Sequence, residues 1–75
     1  MPAVTVKLLE GVFTPAQKRE VIEKITDALV SIEGEHVRPL TLVVIEEIKS
    51  GDWGVGGDAL TTEAVKSLMA GRRDK

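Results

Sequence analysis

The chain has 75 residues, ten basic and twelve acidic side chains spread along its length, no cysteine and one histidine, His36. The lack of cysteine excludes disulfides and a thiolate nucleophile, one histidine argues against structural zinc, and a net charge of −2 provides no patch for nucleic acid or an anionic membrane. So short a chain forms one domain, residues 1–75, which buries a modest fraction of its surface; we therefore expect it to oligomerise and to need no metal or other cofactor.

The first predicted element is a strand that begins almost at the N-terminus. Apolar and polar side chains alternate over residues 3–9, with Val4, Val6 and Leu8 on one face. This period of two is typical of a strand whose one face is buried. Lys7 occupies a polar position of this pattern and is predicted to face solvent.

A helix follows, and its first residues mark where it begins. Thr14, Pro15 and Gln17 supply an N-cap, a proline at the first helical position and a capping-box partner. Apolar residues then recur at helical spacing and predict one buried stripe. The stripe consists of Val21, Ile22, Ile25, Ala28, Leu29 and Ile32. Residues 33–36 end the helix.

A second strand is predicted over residues 40–48, because Pro39 biases Arg38 toward extended geometry. Two strands joined by a helix are expected to pair in parallel with a right-handed crossover, which makes a βαβ unit. Nearly every position of residues 40–45 is apolar, as in a strand covered on both faces. The chain supplies one long helix, so we expect a partner subunit to cover the other face.

A glycine-rich segment, residues 50–57, follows the second strand and surrounds the only tryptophan, Trp53. It holds four of the seven glycines, which favours a tight turn or a short hairpin over longer regular structure. Thr61 or Thr62 then caps a short final helix that stops near Gly71. The apolar residues of this helix are Ala64, Val65, Leu68 and Met69.

Three motifs occur in an order that is typical of one family. They are Pro2 directly after the initiator methionine, Leu-Glu-Gly at residues 9–11, and the more specific Trp-Gly-Val-Gly-Gly at residues 53–57. Together they resemble the 4-oxalocrotonate tautomerase family over about residues 2–57. The resemblance implies an α+β fold in which a βαβ unit with parallel strands, a glycine-rich hairpin and a short helix oligomerise through the sheet.

The resemblance implies that Pro2 is the catalytic residue. Removal of Met1 leaves Pro2 as a secondary amine, a general base that takes a proton beside a carbonyl and returns it elsewhere on a conjugated enol. An α-amino group has a pKa of about 7.7 to 8.0, and an apolar pocket lowers that pKa because it disfavours the cation. A fraction of the amine is then neutral at pH 7 and can act as a base.

Trp53 aligns with the aromatic residue that closes over the catalytic proline in this family. Its bulk would remove water from the amine, while Leu8 and Val6 would line the pocket. The alternative is that the tryptophan anchors a turn against the core or against a neighbouring subunit, because either role requires burial.

The two arginines that bind a dicarboxylate in better-known members of the family have no counterpart here. Val12 stands where the first is expected and Leu42 where the second is expected, so no guanidinium binds a carboxylate bidentately at either position. Arg38 is the nearest candidate for an anion contact, but four residues along a strand displace a side chain by about 13 Å, so it would act from across a subunit boundary. The alternative is a solvated or ion-paired surface arginine.

Two functions are consistent with these residues. The first is a cytoplasmic, homohexameric isomerase that uses Pro2 to tautomerise a small enol or 2-oxo acid, with Arg38, Trp53, Leu8 and Leu42 around the substrate. The second is a ligand-binding module, or a non-catalytic subunit of a hetero-oligomer, that kept the fold and lost the site. The cytoplasmic location follows from the lack of a membrane-spanning apolar run and of a secretion-signal pattern.

Overall fold

A computed structural model describes residues 1–73 of the chain and the side chains of residues 1–70. The elements in chain order are β1 (Ala3–Leu9), α1 (Pro15–Glu33), a 3₁₀ helix (Glu35–Leu40), β2 (Leu42–Ile48), β3 (Trp53–Val55), β4 (Asp58–Leu60) and α2 (Thr62–Arg73). Within residues 1–73 no helix has the length and hydropathy needed to cross a membrane.

The two long strands, β1 and β2, pair in parallel, from Ala3 beside Leu42 to Leu9 beside Ile48. Because α1 connects them, the predicted βαβ unit is confirmed. The predicted start of α1 is also confirmed, since the Gln17 backbone N–H donates to Thr14 Oγ1 at 3.1 Å and the Thr14 N–H donates to Gln17 Oε1 at 2.9 Å.

The strand pair has one face toward α1 and one open face. Lys18 of α1 forms an ion pair with Glu47 of β2 at 2.6 Å, which identifies the α1 side of the pair. On this side the apolar residues of both strands are half-buried: Val4, Val6, Leu8, Val43 and Ile45. On the open face Leu42 and Val44 are each 53% exposed. Coverage of this face by a partner subunit stays a prediction.

The predicted apolar stripe of α1 is only partly covered: Val21, Ile25 and Leu29 are half-buried, but Ile22, Ala28 and Ile32 are exposed. Ile32 is 81% exposed, whereas Val30, which the prediction left out, is 5% exposed. A 19-residue helix is about 28 Å long and a seven-residue strand about 23 Å, so α1 is about one turn longer than the strands it packs on. The 3₁₀ helix packs against α1.

The segment before β2 corrects the predicted extended geometry at Arg38. Residues 35–40 form the 3₁₀ helix, so β2 begins at Leu42 rather than at residue 40. The Thr41 N–H donates to the Arg38 carbonyl at 3.2 Å and closes the last turn. Proline fixes its own φ at about −65°, which suits a 3₁₀ turn. The hydrogen bonds of this turn outweigh the preference of Pro39 for an extended residue before it.

The glycine-rich segment forms the predicted short hairpin. β3 and β4 are antiparallel, with Val55 opposite Asp58 and two glycines between them. Gly56 has φ 59° and Gly57 has φ 90°, and positive φ at both central residues is the requirement of the type I′ turn that suits two-residue hairpins.

Hydrogen bonds tie the end of each long strand to the start of α2. The Thr62 hydroxyl donates to the Glu10 carbonyl at 2.6 Å, and the Thr62 N–H donates to Ser50 Oγ at 2.9 Å. Of the two candidate caps, Thr61 caps α2, because its Oγ1 accepts from the Ala64 N–H at 3.1 Å. The helix continues through Gly71 to Arg73, which corrects the predicted stop, since glycine lowers helix propensity without removing a backbone hydrogen bond.

Candidate functional site

The candidate base, Pro2, lies just before the amino end of β1. It is half-buried, and its carbonyl oxygen accepts a hydrogen bond from the Leu42 N–H at 3.0 Å. The preceding Met1 is 83% exposed. The parallel pairing therefore fixes Pro2 beside the first residue of β2, while Met1 contributes little packing.

An apolar cavity of about 650 Å³ lies at the opposite end of β1. It is open to solvent on one side, and its lining comes from the end of β1, the loop after it, the β3–β4 hairpin and α2. The residues that line it are Lys7, Leu8, Leu9, Val12, Phe13, Trp53, Leu60, Val65, Leu68 and Met69. Its volume falls within the range of small-molecule sites, roughly 300 to 1,000 Å³.

A single chain does not bring Pro2 together with Trp53 and Leu8. Trp53 lines the cavity with Lys7, five residues after Pro2 along an extended strand. At about 3.3 Å per residue, Lys7 lies about 17 Å from Pro2 along the strand. The sequence-predicted site thus falls into two halves, with Pro2 and Leu42 at one end of the sheet and Trp53 and Leu8 at the other.

Val12 and Leu42 stand at the two positions where the family resemblance leads us to expect an arginine, one in each half of the site. Both are apolar. Val12 is half-buried and lines the cavity. Leu42 is 53% exposed on the open face, beside the residue that follows Pro2 in β1. Neither position carries a cation to bind a carboxylate.

Arg38 lies in the 3₁₀ helix, where two carboxylates bind its guanidinium. Its Nε and Nη2 each donate to Glu35 at 3.0 Å, and its Nη1 donates to Asp27 of α1 at 2.8 Å. The hydrogen bonds with Glu35, and then those with Asp27, raise the pKa of Arg38, and the Arg38 hydrogen bond lowers the pKa of Glu35. This arginine therefore has protein partners for most of its donors.

Lys7 is the charged residue among the cavity-lining side chains. It is exposed, as predicted, and lies beside Glu46 in the strand register. Within residues 1–70 no carboxylate forms an ion pair with it, whereas Glu47 pairs with Lys18. No group of three or more histidine, aspartate or glutamate side chains in the described part of the chain could hold a metal ion.

Sequence reasoning missed the contribution of α2 and Phe13 to the cavity. The sequence pattern predicts Val65, Leu68 and Met69 on a short final helix but gives them no role, and in the structure they line the cavity, with Leu68 64% exposed and Met69 42% exposed. An apolar stripe has the same helical spacing whether it packs on a core or lines a cavity, so the sequence holds no signal that separates the two roles.

Comparison with known proteins identifies relatives across most of the chain. A family model described as tautomerase enzyme matches residues 2–63. The 2-hydroxymuconate tautomerase of Bacillus subtilis (strain 168) is 41% identical over 61 residues, which are 81% of this chain and 95% of that protein. The probable tautomerase K2 of Dickeya dadantii (strain 3937) is 33% identical over 61 residues, 81% of this chain and 90% of that protein.

A solved structure agrees with these relatives. The crystal structure of DmpI from Helicobacter pylori has a TM-score of 0.65 and 25% identity, and the match covers 88% of this chain and 97% of that one. The chain therefore belongs to the tautomerase family, including the 4-oxalocrotonate tautomerases that its motifs resemble, and is a tautomerase-like isomerase.

Proposed function

We propose that the chain, after removal of Met1, uses the secondary amine of Pro2 as the general base in the enol–keto tautomerisation of a small monocarboxylic enol or 2-oxo acid. The observation that carries this proposal is the position of Pro2, which is half-buried and bonded through its carbonyl to Leu42. The family match begins at the same residue. Met1 is 83% exposed, so its removal costs the fold little.

The reaction needs one group that accepts a proton and returns it. The neutral amine of Pro2 takes the proton of the enol hydroxyl, the carbonyl forms, and the resulting ammonium delivers a proton to a carbon of the conjugated system. Atoms and charge balance without a cofactor. An apolar setting favours the neutral amine, because burial disfavours the charged form.

We propose that the site is completed between copies of this chain. In one copy Trp53 lines the cavity together with Lys7, which lies about 17 Å along β1 from Pro2, so we propose that the tryptophan closes over the proline of another copy. The open face of the sheet supports this assembly, since Leu42 and Val44 are each 53% exposed there. So does the shape of the chain: its Cα radius of gyration is 15.3 Å, against about 11 Å for a compact domain of this length. A homohexamer is the assembly that the family resemblance implies.

The side chains at positions 12 and 42, where an arginine is expected, indicate how many carboxylates the substrate carries. Val12 and Leu42 cannot bind a second carboxylate, and the guanidinium of Arg38 is bound to Glu35 and Asp27. A dicarboxylate would leave one carboxylate without a bidentate partner. We therefore propose a substrate with one carboxylate, and we assign Arg38 to the protein surface rather than to the substrate.

The test compares processed wild-type protein with Pro2→Ala on simple 2-hydroxydienoates and phenylenolpyruvate, with monoacids and diacids side by side. Mass spectrometry first establishes that Met1 is absent from both proteins. We expect kcat to fall by about 10²-fold or more in the variant, the usual contribution of a general base. Pro15→Ala, which changes an exposed proline at the start of α1, is the matched control.

Equal rates for wild type and Pro2→Ala would end the proposal for Pro2. No turnover of any acid by the processed wild type would instead favour the non-catalytic subunit or ligand-binding module. Faster turnover of diacids than of monoacids would contradict the substrate assignment alone.

A further inference from the structure

The helix α2 lies mostly outside the part of the chain that the family model covers. The match ends at residue 63, whereas α2 spans Thr62–Arg73. Leu68 and Met69 line the cavity and yet are 64% and 42% exposed, so packing within one chain leaves them accessible. This helix therefore adds an apolar wall that the matched region does not supply.

Most of the other residues that line the cavity are apolar as well. Phe13 and the half-buried Trp53 present aromatic side chains, and Val12 stands at one of the two positions without arginine. Aromatic and aliphatic walls of this kind bind the apolar part of a small molecule, and a few polar groups then fix its orientation.

Lys7 supplies such a polar group. It is one of the residues that line the cavity, its side chain is exposed, and no described carboxylate pairs with it. An ammonium beside an apolar cavity attracts one carboxylate, and a charge-assisted hydrogen bond of this kind is stronger than a neutral one.

We propose that α2 is a specificity element: Leu68 and Met69 bind the apolar tail of the substrate and Lys7 binds its one carboxylate. The preferred substrate is then an enol or 2-oxo monocarboxylate with an aryl or branched alkyl tail. This inference rests on the proposed function and deepens it, since it identifies the chemistry that the site selects.

A binding experiment tests the subsite without turnover. Trp53 is the only tryptophan and lines the cavity, so its fluorescence reports on occupancy. The processed protein is titrated with 3-phenylpropionate, with its neutral amide and with adipate. We expect 3-phenylpropionate to bind at least about tenfold more tightly than either of the others, because the amide lacks the charge and adipate lacks the aryl group.

The variants for this experiment are Leu68→Ala/Met69→Ala and Lys7→Gln. We expect each to raise the Kd of 3-phenylpropionate by about tenfold or more. Ile32→Ala is the matched control, since it removes an 81% exposed apolar side chain from α1, outside the cavity lining. In turnover the double variant is expected to lose about tenfold or more in kcat/KM for phenylenolpyruvate and a clearly smaller factor for 2-hydroxypenta-2,4-dienoate, which has no bulky tail.

Three results would overturn the proposal: no binding of 3-phenylpropionate, tighter binding of adipate, or an unchanged Kd in the double variant. A uniform loss of all substrates in the double variant would also overturn it, because it would indicate a purely structural role for α2. The Pro2→Ala protein separates this inference from the proposed function. If that variant keeps both full turnover and tail-dependent binding, the role of Pro2 fails and the subsite stands.

Discussion

The N–H of Leu42 donates a hydrogen bond to the carbonyl oxygen of Pro2 at 3.0 Å. This bond continues the parallel ladder of β1 and β2 by one residue beyond Ala3, so the candidate base is held by sheet structure rather than by a free terminus. The side chain of Leu42 is 53% exposed on the open face of the same sheet. The site half that holds the base therefore adjoins the surface that we propose for assembly.

A charge on the open face is expected to separate the subunits. Val44→Lys places an ammonium in the proposed interface, where a desolvated unpaired charge costs several kcal/mol, so the dissociation constant of the assembly rises by about 10²-fold or more. Turnover falls with the assembly, because Trp53 of one copy no longer reaches Pro2 of another. Analytical ultracentrifugation over a range of concentrations measures the dissociation constant of the wild-type and Val44→Lys assemblies.

Ile32→Lys is the control for this change, since Ile32 is 81% exposed on α1 and lies away from the open face. It is expected to leave the sedimentation unchanged. A wild-type chain that sediments as a stable monomer would refute the proposed assembly.

The hairpin turn is expected to tolerate a side chain at one glycine and not at another. Gly57→Ala forces a Cβ onto a residue with φ 90°, which costs about 1 to 2 kcal/mol of stability. Gly54→Ala, in β3, has no positive φ and no atom within 4 Å of the added Cβ, and should change stability by less than about 0.5 kcal/mol. Urea denaturation at one protein concentration, followed by Trp53 fluorescence, compares them. Equal destabilisation would contradict the type I′ turn.

Arg38→Gln is expected to change kcat/KM by less than about twofold, because Glu35 and Asp27 bind the guanidinium at the surface. The same substitution is expected to change the pKa of Glu35. Arg38 lowers the pKa of Glu35, so the contribution of the pair to stability is present above the usual range of a glutamate pKa and is lost as pH falls through the lowered value. NMR titration should show the pKa of Glu35 moving up toward its usual range in the variant. A large loss of turnover in Arg38→Gln would contradict this prediction and would indicate that Arg38 binds the substrate.

Much of the fold could be predicted because local chemistry determines it. The capping box of Thr14 and Gln17 marks the start of α1, and the alternation along residues 3–9 gives β1 its α1-facing side. The segment around Arg38 could not be predicted from Pro39 alone. Its 3₁₀ turn is closed by backbone hydrogen bonds, and Arg38 also forms an ion pair with Asp27, eleven residues away; sequence periodicity does not report such contacts.

The candidate site was harder to predict, because its parts lie at two ends of one sheet. Pro2 and Trp53 could be recognised from their motifs, but in a single chain Trp53 lines the cavity with Lys7, about 17 Å along β1 from Pro2. The roles of Leu68 and Met69 could not be predicted, since a helical apolar stripe is the same in sequence whether it packs on a core or lines a cavity.

The chemical form of the Pro2 nitrogen tests the central claim most directly. The same chain is prepared in two forms, one with Met1 removed and one with Met1 retained, and mass spectrometry assigns each form. Retention converts the nitrogen to an amide, which cannot act as a base, while every other side chain stays the same. The account predicts that kcat/KM on a monocarboxylic enol falls by about 10²-fold or more when Met1 is retained. Equal rates for the two forms would contradict it.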